Sequence, residues 1–408
     1  MNDPKRRRAL TNIGGAIDTE GDRADADRLA RALAVPPSTE ADDDPARSHV
    51  HGFHTYPARM HPATAARLVN AFTNVGNRVL DPFCGSGTVL VEALIAGRGA
   101  VGADLNPLAV RLSACKTRPR NASELEQFVR RATECAEHAD ARRKAKSGAS
   151  RRFPPEDVAL FEPHVLLELD SLRAKVETLR DDPARTDLEL VLSAVLVKLS
   201  KKSGDTSAGT AERRTRAGFA AKLFVQKAQD LAARLSALAQ LLPTPAPTAA
   251  VILDDATELK HLPGPVSAII TSPPYAATYD YLAHHALRLR WLGLDATPLA
   301  RGEIGSRAAY ARVKPTDARA TWAKELERFF RAAVRVLPPG GPLVVMMADS
   351  AVADVAIRAD EVVAEAGRAC GLVPAARASQ PRPHFHGPTA AAFRARPRFE
   401  HALLLRKV

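Results

Sequence analysis

Residues 271–275, Thr271-Ser272-Pro273-Pro274-Tyr275, place a hydroxyl acceptor, two residues without a backbone N–H and a flat ring in five positions. The apolar run before them, Val266-Ser267-Ala268-Ile269-Ile270, reads as a short buried strand. Two prolines cannot continue a ladder, so the strand ends in a turn that shows carbonyls to the space beyond. Acceptors and a stacking face at one strand end suit a planar ring bearing an amino group. By itself the segment is only a proline-rich loop. A second motif upstream gives it weight.

That motif is Asp81-Pro82-Phe83-Cys84-Gly85-Ser86-Gly87-Thr88, set between a strand at Arg78-Val79-Leu80 and a helix from Val89 to Ala96. A glycine turn from strand to helix lets the backbone approach a ligand closely. About 20 residues on, Asp104 ends a second strand (Gly99 to Gly102), where an acidic residue is placed for ribose hydroxyls. A third strand, Val251-Ile252-Leu253, ends in Asp254-Asp255. The ordered series of strand ends carries far more information than G-x-G alone.

With these residues in view, the chain resembles S-adenosylmethionine-dependent methyltransferases that modify exocyclic amino groups of DNA bases, N4 of cytosine or N6 of adenine. The resemblance covers roughly residues 48–115 and 250–408. The Ser-Pro-Pro-Tyr form points to N4 of cytosine, with N6 of adenine and an RNA base amine as the alternatives. His54-Thr55-Tyr56-Pro57-Ala58-Arg59-Met60-His61-Pro62 is similar to the family's element closing over the methionine end of the cofactor. The implied fold is α/β, a Rossmann-like class I methyltransferase with a mostly parallel seven-stranded sheet and a helical insertion. The implied cofactor is S-adenosyl-L-methionine. Asp81, Ser86 and Thr88 belong to its loop, and Gly85 and Gly87 let the backbone pass the methionine moiety. Asp104 takes the ribose, Asp255 (or its neighbour Asp254) the adenine amino group, and Tyr56 and Phe83 wall the site.

An exocyclic amine is a poor nucleophile because its lone pair is delocalised into the ring. No covalent enzyme nucleophile is needed; the amino hydrogens must be held so that nitrogen can pyramidalise. Ser272 Oγ and the Pro273 carbonyl are the expected acceptors, with Pro274 shaping the turn and Tyr275 stacked on the base. The base must be flipped out or already single-stranded. A nucleic-acid-binding protein without turnover is the non-enzymatic reading, and the intact Ser272, Tyr275, Asp104 and glycines argue against it.

The 408 residues allow two or three domains, and 46% apolar with 25% charged content is ordinary for a globular chain. No long apolar run or signal-like start is present, so a cytoplasmic location without membrane contact is expected. Cys84, Cys115, Cys135 and Cys370 show no C-x-x-C spacing, which argues against a zinc site and a disulfide framework. The clustered His49, His51, His54 and His61 have no acidic or cysteine partner at ligand spacing, so hydrogen bonding at the cofactor rim is expected and no metal. A net charge of +12 favours a polyanionic partner, DNA or else RNA.

Three regions follow. Residues 1–47, with basic Lys5-Arg6-Arg7-Arg8 and acidic Asp42-Asp43-Asp44, read as a flexible N-terminal arm. Residues 48–115 and 248–408 form the catalytic domain. Residues 116–247 lose strand signals and read as a helical insertion, the candidate target-recognition domain, with a capping box at Ser123-Glu124-Leu125-Glu126 and helices at 158–179, 188–199 and 219–242. Lys201, Lys202, Arg213 and Arg214 in it are candidate phosphate contacts. A helix at 317–337, a strand at 343–347, a helix at 352–369 and a closing hairpin ending at 399–405 complete the pattern. Oligomeric state leaves no mark on the sequence.

Overall fold

The structure is a computed structural model that describes residues 15–35, 45–204, 209–210, 214–384 and 387–408. The basic cluster at 5–8, Asp42 to Asp44, Arg213, Phe385 and His386 lie outside those residues.

The strands are β1 (Asp18–Gly21), β2 (Arg78–Asp81), β3 (Gly99–Asp104), β4 (Ala249–Leu253), β5 (Ala268–Thr271), β6 (Pro342–Ala348), β7 (Ser350–Val352), β8 (Val355–Ile357), β9 (Leu372–Pro381) and β10 (Phe399–Lys407). Eight of them form one sheet in the order β1-β9-β10-β6-β5-β2-β3-β4. The central pairs β3–β4, β2–β3, β2–β5 and β5–β6 are parallel, and β10 runs antiparallel between β6 and β9. Strand order proceeds outward from β2 to β4, then returns across β2 to β5. That reversal opens a crevice at the carboxyl ends of β2 and β5, the usual ligand site of an open parallel sheet.

Alternation along the strands separates two cores. Val79, Ala100, Ile270, Val344 and Leu404 face the helices Pro62–Phe72 and Thr88–Ile95 through Leu68, Val69, Leu90 and Ala93. Leu80, Val101, Ile269, Leu343 and Val345 face the helices Ala318–Val336 and Ala359–Ala369 through Trp322, Phe329, Phe330 and Val362. Period-2 burial on both faces is what a helix-covered parallel sheet demands.

Two expectations at the sheet edge are corrected. Residues 18–33 are not part of a flexible arm: β1 pairs antiparallel with β9, from Asp18 opposite Ser379 to Gly21 opposite Ala376. The helix Arg23–Leu33 then buries Ala26, Leu29, Ala32 and Leu33 against the sheet, capped by Asp22. The sheet therefore has eight strands rather than seven. Its four exposed residues, Asp-Thr-Glu-Gly, suit an edge strand that must not recruit another chain.

Residues 122–239 form the expected helical insertion, in helices Ala122–Lys144, Pro155–Leu160, Pro163–Glu177, Arg185–Leu199 and Phe219–Ala239. Pro163 splits the helix expected over 158–179. The capping box uses Asn121 and Glu124, not Ser123 and Glu126: Asn121 Oδ1 accepts Glu124 N at 2.9 Å and Glu124 Oε2 accepts Asn121 N at 2.8 Å. Phe128, Leu169, Leu192 and Phe224 share one core with Val50, Leu112 and Trp291 of the surrounding fold, so the insertion is packed onto the catalytic unit. The helix expected over 352–369 begins only at Ala359, because residues 350–357 turn back as the β7–β8 hairpin.

Candidate active site

β2 ends at Asp81, and the chain reaches the helix Thr88–Ile95 through the glycine turn. Gly87, at φ 80°, is the residue before that helix, and a Cβ there would sit 2.9 Å from Ser113 Oγ and 3.2 Å from Ser113 Cα. Gly87 does not line the cleft; its lack of a side chain lets the turn pack on the helix Pro107–Thr117. Gly87→Ala is expected to cost about 1–3 kcal/mol from backbone strain alone, read by urea denaturation. An unchanged midpoint would remove this packing role.

Asp104, at the end of β3, fixes the turn from the other side. Its Oδ2 accepts Gly85 N at 2.9 Å and its Oδ1 accepts Asn106 N at 2.8 Å. Behind the turn, Ser113 Oγ donates to Gly85 O at 2.9 Å and buried Lys116 Nζ donates to Ser86 O at 2.9 Å. Asp81 Oδ1 accepts Phe83 N at 3.2 Å and Thr271 Oγ1 at 2.6 Å, tying the end of β2 to the end of β5. Burial raises Asp81 to about 7 and Asp104 to about 6, against opposing hydrogen bonds. It also pushes the Cys84 thiol well up, which disfavours the thiolate that a nucleophile requires.

One cleft of about 880 Å³, open mouth included, brings together Tyr56, Asp81, Phe83, Gly85, Ser86, Thr88, Asp104 and Asp255 with Ser272 and Pro274. Asp254 is turned away and buried, accepting His261 N at 2.9 Å, which leaves Asp255 as the carboxylate facing the cleft. A second cavity adjoins the first, lined by Tyr275, Tyr279, Arg382, Arg398 and Glu400. Ser272 and residues 58–60 line both spaces. Pro273 is buried, and its neighbours Ser272 and Pro274 line the cleft in its place. Ala58 holds φ 53°, a strained conformation for alanine at the junction.

Several residues of the cleft escape sequence reading. Tyr281 lines the cleft and stacks near Tyr56 with centroids 6.5 Å apart. Glu303 also lines it, and Glu303 Oε1 accepts Tyr281 N at 2.5 Å. Its loop lies close because Gly305 has no side chain: a Cβ there would meet Tyr275 O at 2.9 Å. Glycines spaced through 301–307 are the one sequence signal for this closure.

The histidine segment is mostly structural. His54 Nε2 pairs with Ser193 Oγ at 2.9 Å, and His61 Nδ1 accepts Ala63 N at 3.2 Å at a helix start. His51 Nε2 meets Glu92 Oε1 at 2.7 Å, a partner that sequence spacing does not reveal. Burial raises Glu92 to about 7 and drives His51 well down, so this is a contact of neutral imidazole rather than an ion pair. His49 comes within ligand reach of both, which supplies the acidic partner that sequence spacing lacked.

Lys201 and Lys202 follow the helix Arg185–Leu199 and are half-buried; Lys201 N donates to Leu160 O at 2.8 Å, and Lys202 bridges Thr210. Arg214 is exposed. None of these three lines either space. Among the described residues, no helix is long and apolar enough to cross a membrane.

The donor set fits S-adenosyl-L-methionine: a strand-end carboxylate for diol hydroxyls, a second for an amino group, an aromatic wall and a glycine turn. A family model described as DNA methylase matches residues 35–114. The type II methyltransferase M.MvaI of Kocuria varians is 39% identical over 82 residues, 19% of this chain and 18% of its own. The type II methyltransferase M.MjaII of Methanocaldococcus jannaschii is 31% identical over 81 residues, 20% of this chain and 15% of its own. A tRNA (guanine(10)-N2)-dimethyltransferase of Methanothermobacter thermautotrophicus is 42% identical over 79 residues, 19% of this chain and 23% of its own. The matches thus span under a quarter of each relative's length. The likeness to the DNA methylase family thus lies in residues 35–114, the stretch that carries the glycine turn and the first two parallel strands.

Proposed function

We infer that this protein methylates an exocyclic amino group of a DNA base, N4 of cytosine in preference to N6 of adenine. The observation that carries this reading is Ser272, which lines both the cofactor cleft and the aromatic cavity beside it. Bound S-adenosylmethionine supplies an electrophilic methyl group on a sulfonium. Tyr275 and Tyr279 offer faces for a flipped base in the adjoining cavity. Ser272 Oγ and the Pro273 carbonyl accept the two amino hydrogens, which turns the nitrogen lone pair out of conjugation. The Ser272 and Tyr275 hydroxyls interact as hydrogen-bond partners, which holds the serine side chain beside the ring. Ser272 is neutral, so it orients rather than deprotonates, and the surplus proton leaves to water. Positioning of this kind accounts for much of the acceleration in bimolecular transfers.

RNA is the second reading, supported by the tRNA-modifying relative. Incubation with labelled cofactor and duplex DNA, single-stranded DNA or RNA, followed by nucleoside identification, decides between them. N4-methylcytosine in DNA is the expected product; label confined to RNA overturns the DNA assignment. The Type II names of two relatives fit a modification enzyme of a restriction system.

Cofactor binding should depend on pH with a definite sign. Asp81 and Asp104 hold protons in the folded chain to about 7 and about 6, against 3.8 unfolded. Their contribution to stability is full below pH 3.8 and is lost as pH rises through 6 and 7. Ionised, they accept the hydroxyl and ammonium donors of the cofactor. The Kd is therefore expected to fall roughly tenfold or more from pH 5.5 to 8, with proton release on binding. Calorimetry in buffers of different ionisation enthalpy measures it; proton uptake would contradict the assignment.

The loop at Lys201 and Lys202 is the proposed sequence-independent contact to phosphates. The double variant Lys201→Glu and Lys202→Glu is expected to weaken duplex binding and to lower the salt slope by about 2. A slope equal to that of the parent protein takes this loop out of the interface.

A further inference from the structure

The second cavity, about 810 Å³ with its mouth, is more than a slot for a ring. Its far wall is built where β9 leaves and β10 begins: Arg382 just after β9, Arg398 just before β10 and Glu400 inside it. This corner is fixed by backbone, since Arg382 N donates to Arg398 O at 2.8 Å. Arg382 Nε donates to Glu400 Oε2 at 2.8 Å, and Arg382 is buried. Arg398 Nε donates to Asp349 O at 3.0 Å. Asp349 is itself clamped by Arg358 at 2.8 Å and His401 at 3.1 Å. Arg398 is thus aimed by an anchor outside the cavity and Arg382 by Glu400 in its wall. The charges of Glu400 and Arg398 both act on the Tyr275 hydroxyl, which places them around the same space as the stacking ring.

With Arg59 shared between the two spaces, the cavity carries three guanidinium groups against one carboxylate. Such a wall donates hydrogen bonds and favours a ligand edge rich in acceptors. Beyond the amine, cytosine offers N3 and O2, two acceptors side by side. Adenine offers only N1 and then a C–H, and guanine offers an N1–H donor beside its amine, which faces a guanidinium badly.

We propose that Arg398, together with the Glu400-held Arg382, is the specificity element of this active site and selects cytosine by donating to N3 and O2 while Ser272 holds the N4 amine. The proposal rests on the methyltransferase reading above and extends it to the identity of the base. Glu400 acts through Arg382 as a positioning residue.

The test uses the full chain, labelled S-adenosylmethionine and single-stranded oligonucleotides with cytosine or adenine as the sole amine-bearing base. Arg398→Met is expected to lower kcat/KM on cytosine roughly 5- to 100-fold, to change adenine transfer less than about threefold, and to leave cofactor Kd unchanged. Glu400→Gln should lower the cytosine-to-adenine ratio in the same direction. A probe on the substrate side avoids any folding defect: the unaltered protein should use 2-thiocytosine at least about fivefold less well than cytosine, because sulfur is the weaker acceptor. Equal losses on both bases, indifference to 2-thiocytosine, or a parent protein that methylates only adenine or guanine would overturn the proposal while leaving amine methylation intact. Absence of transfer to any nucleic acid would overturn both.

Discussion

Ser272→Ala is expected to lower the rate of methyl transfer about 10²- to 10³-fold, the usual cost of one hydrogen-bond partner used in the transition state, while cofactor affinity stays within about threefold. The reason is local. Ser272 sits at the seam of the two spaces, whereas Asp104 and Asp255, the carboxylates proposed to take the cofactor, lie at the ends of other strands. The fold is insensitive to the change, because Thr271, not Ser272, carries the hydrogen bond that joins β5 to Asp81. Single-turnover transfer and equilibrium cofactor binding, measured on the same preparation, separate the two effects. If affinity collapsed while bound cofactor still turned over normally, Ser272 would belong to the cofactor side.

The part of this site legible in the sequence is the part that strand ends encode. β2, β3, β4 and β5 are short apolar runs stopped by proline, glycine or aspartate, so each announces both its end and the residue exposed there. Asp81, Asp104, Asp255 and Ser272 could be found this way, and all four line one cleft. What stayed hidden depends on tertiary closure. β1 has no apolar residue to mark it, and it exists because β9 offers an edge. Glu92 stands alone in an apolar helix, a visible oddity, yet its partner His51 is 41 residues away. The wall formed by Arg382, Arg398 and Glu400 joins residues on two sides of a loop, where no period links them. Gly87 teaches the complementary lesson. Its position in the motif suggests ligand contact, but its packing against Ser113 is what excludes a side chain.

Asp104→Ala is expected to raise the cofactor Kd at least about 100-fold, the mirror image of the serine variant. Both carboxylate oxygens already accept backbone N–H groups, from Gly85 and from Asn106. Hydrogen bonds to a charged group contribute about 1.5–3 kcal/mol each, so the truncation loosens the glycine turn and removes the proposed acceptor for the ribose together. The unliganded protein should therefore melt several degrees lower, and the extra stabilisation that saturating cofactor provides should nearly vanish. Asp104→Asn separates the two roles. Its carboxamide can still accept one N–H but presents an amine to the other, so the turn partly survives while the ionised acceptor for the ligand is gone. Its melting temperature should lie between those of the parent and the alanine variant, and its cofactor affinity close to that of the alanine variant. An alanine variant that binds cofactor like the parent would mean that the ligand's hydroxyls are held elsewhere, and the crevice between β2 and β5 would need a different occupant.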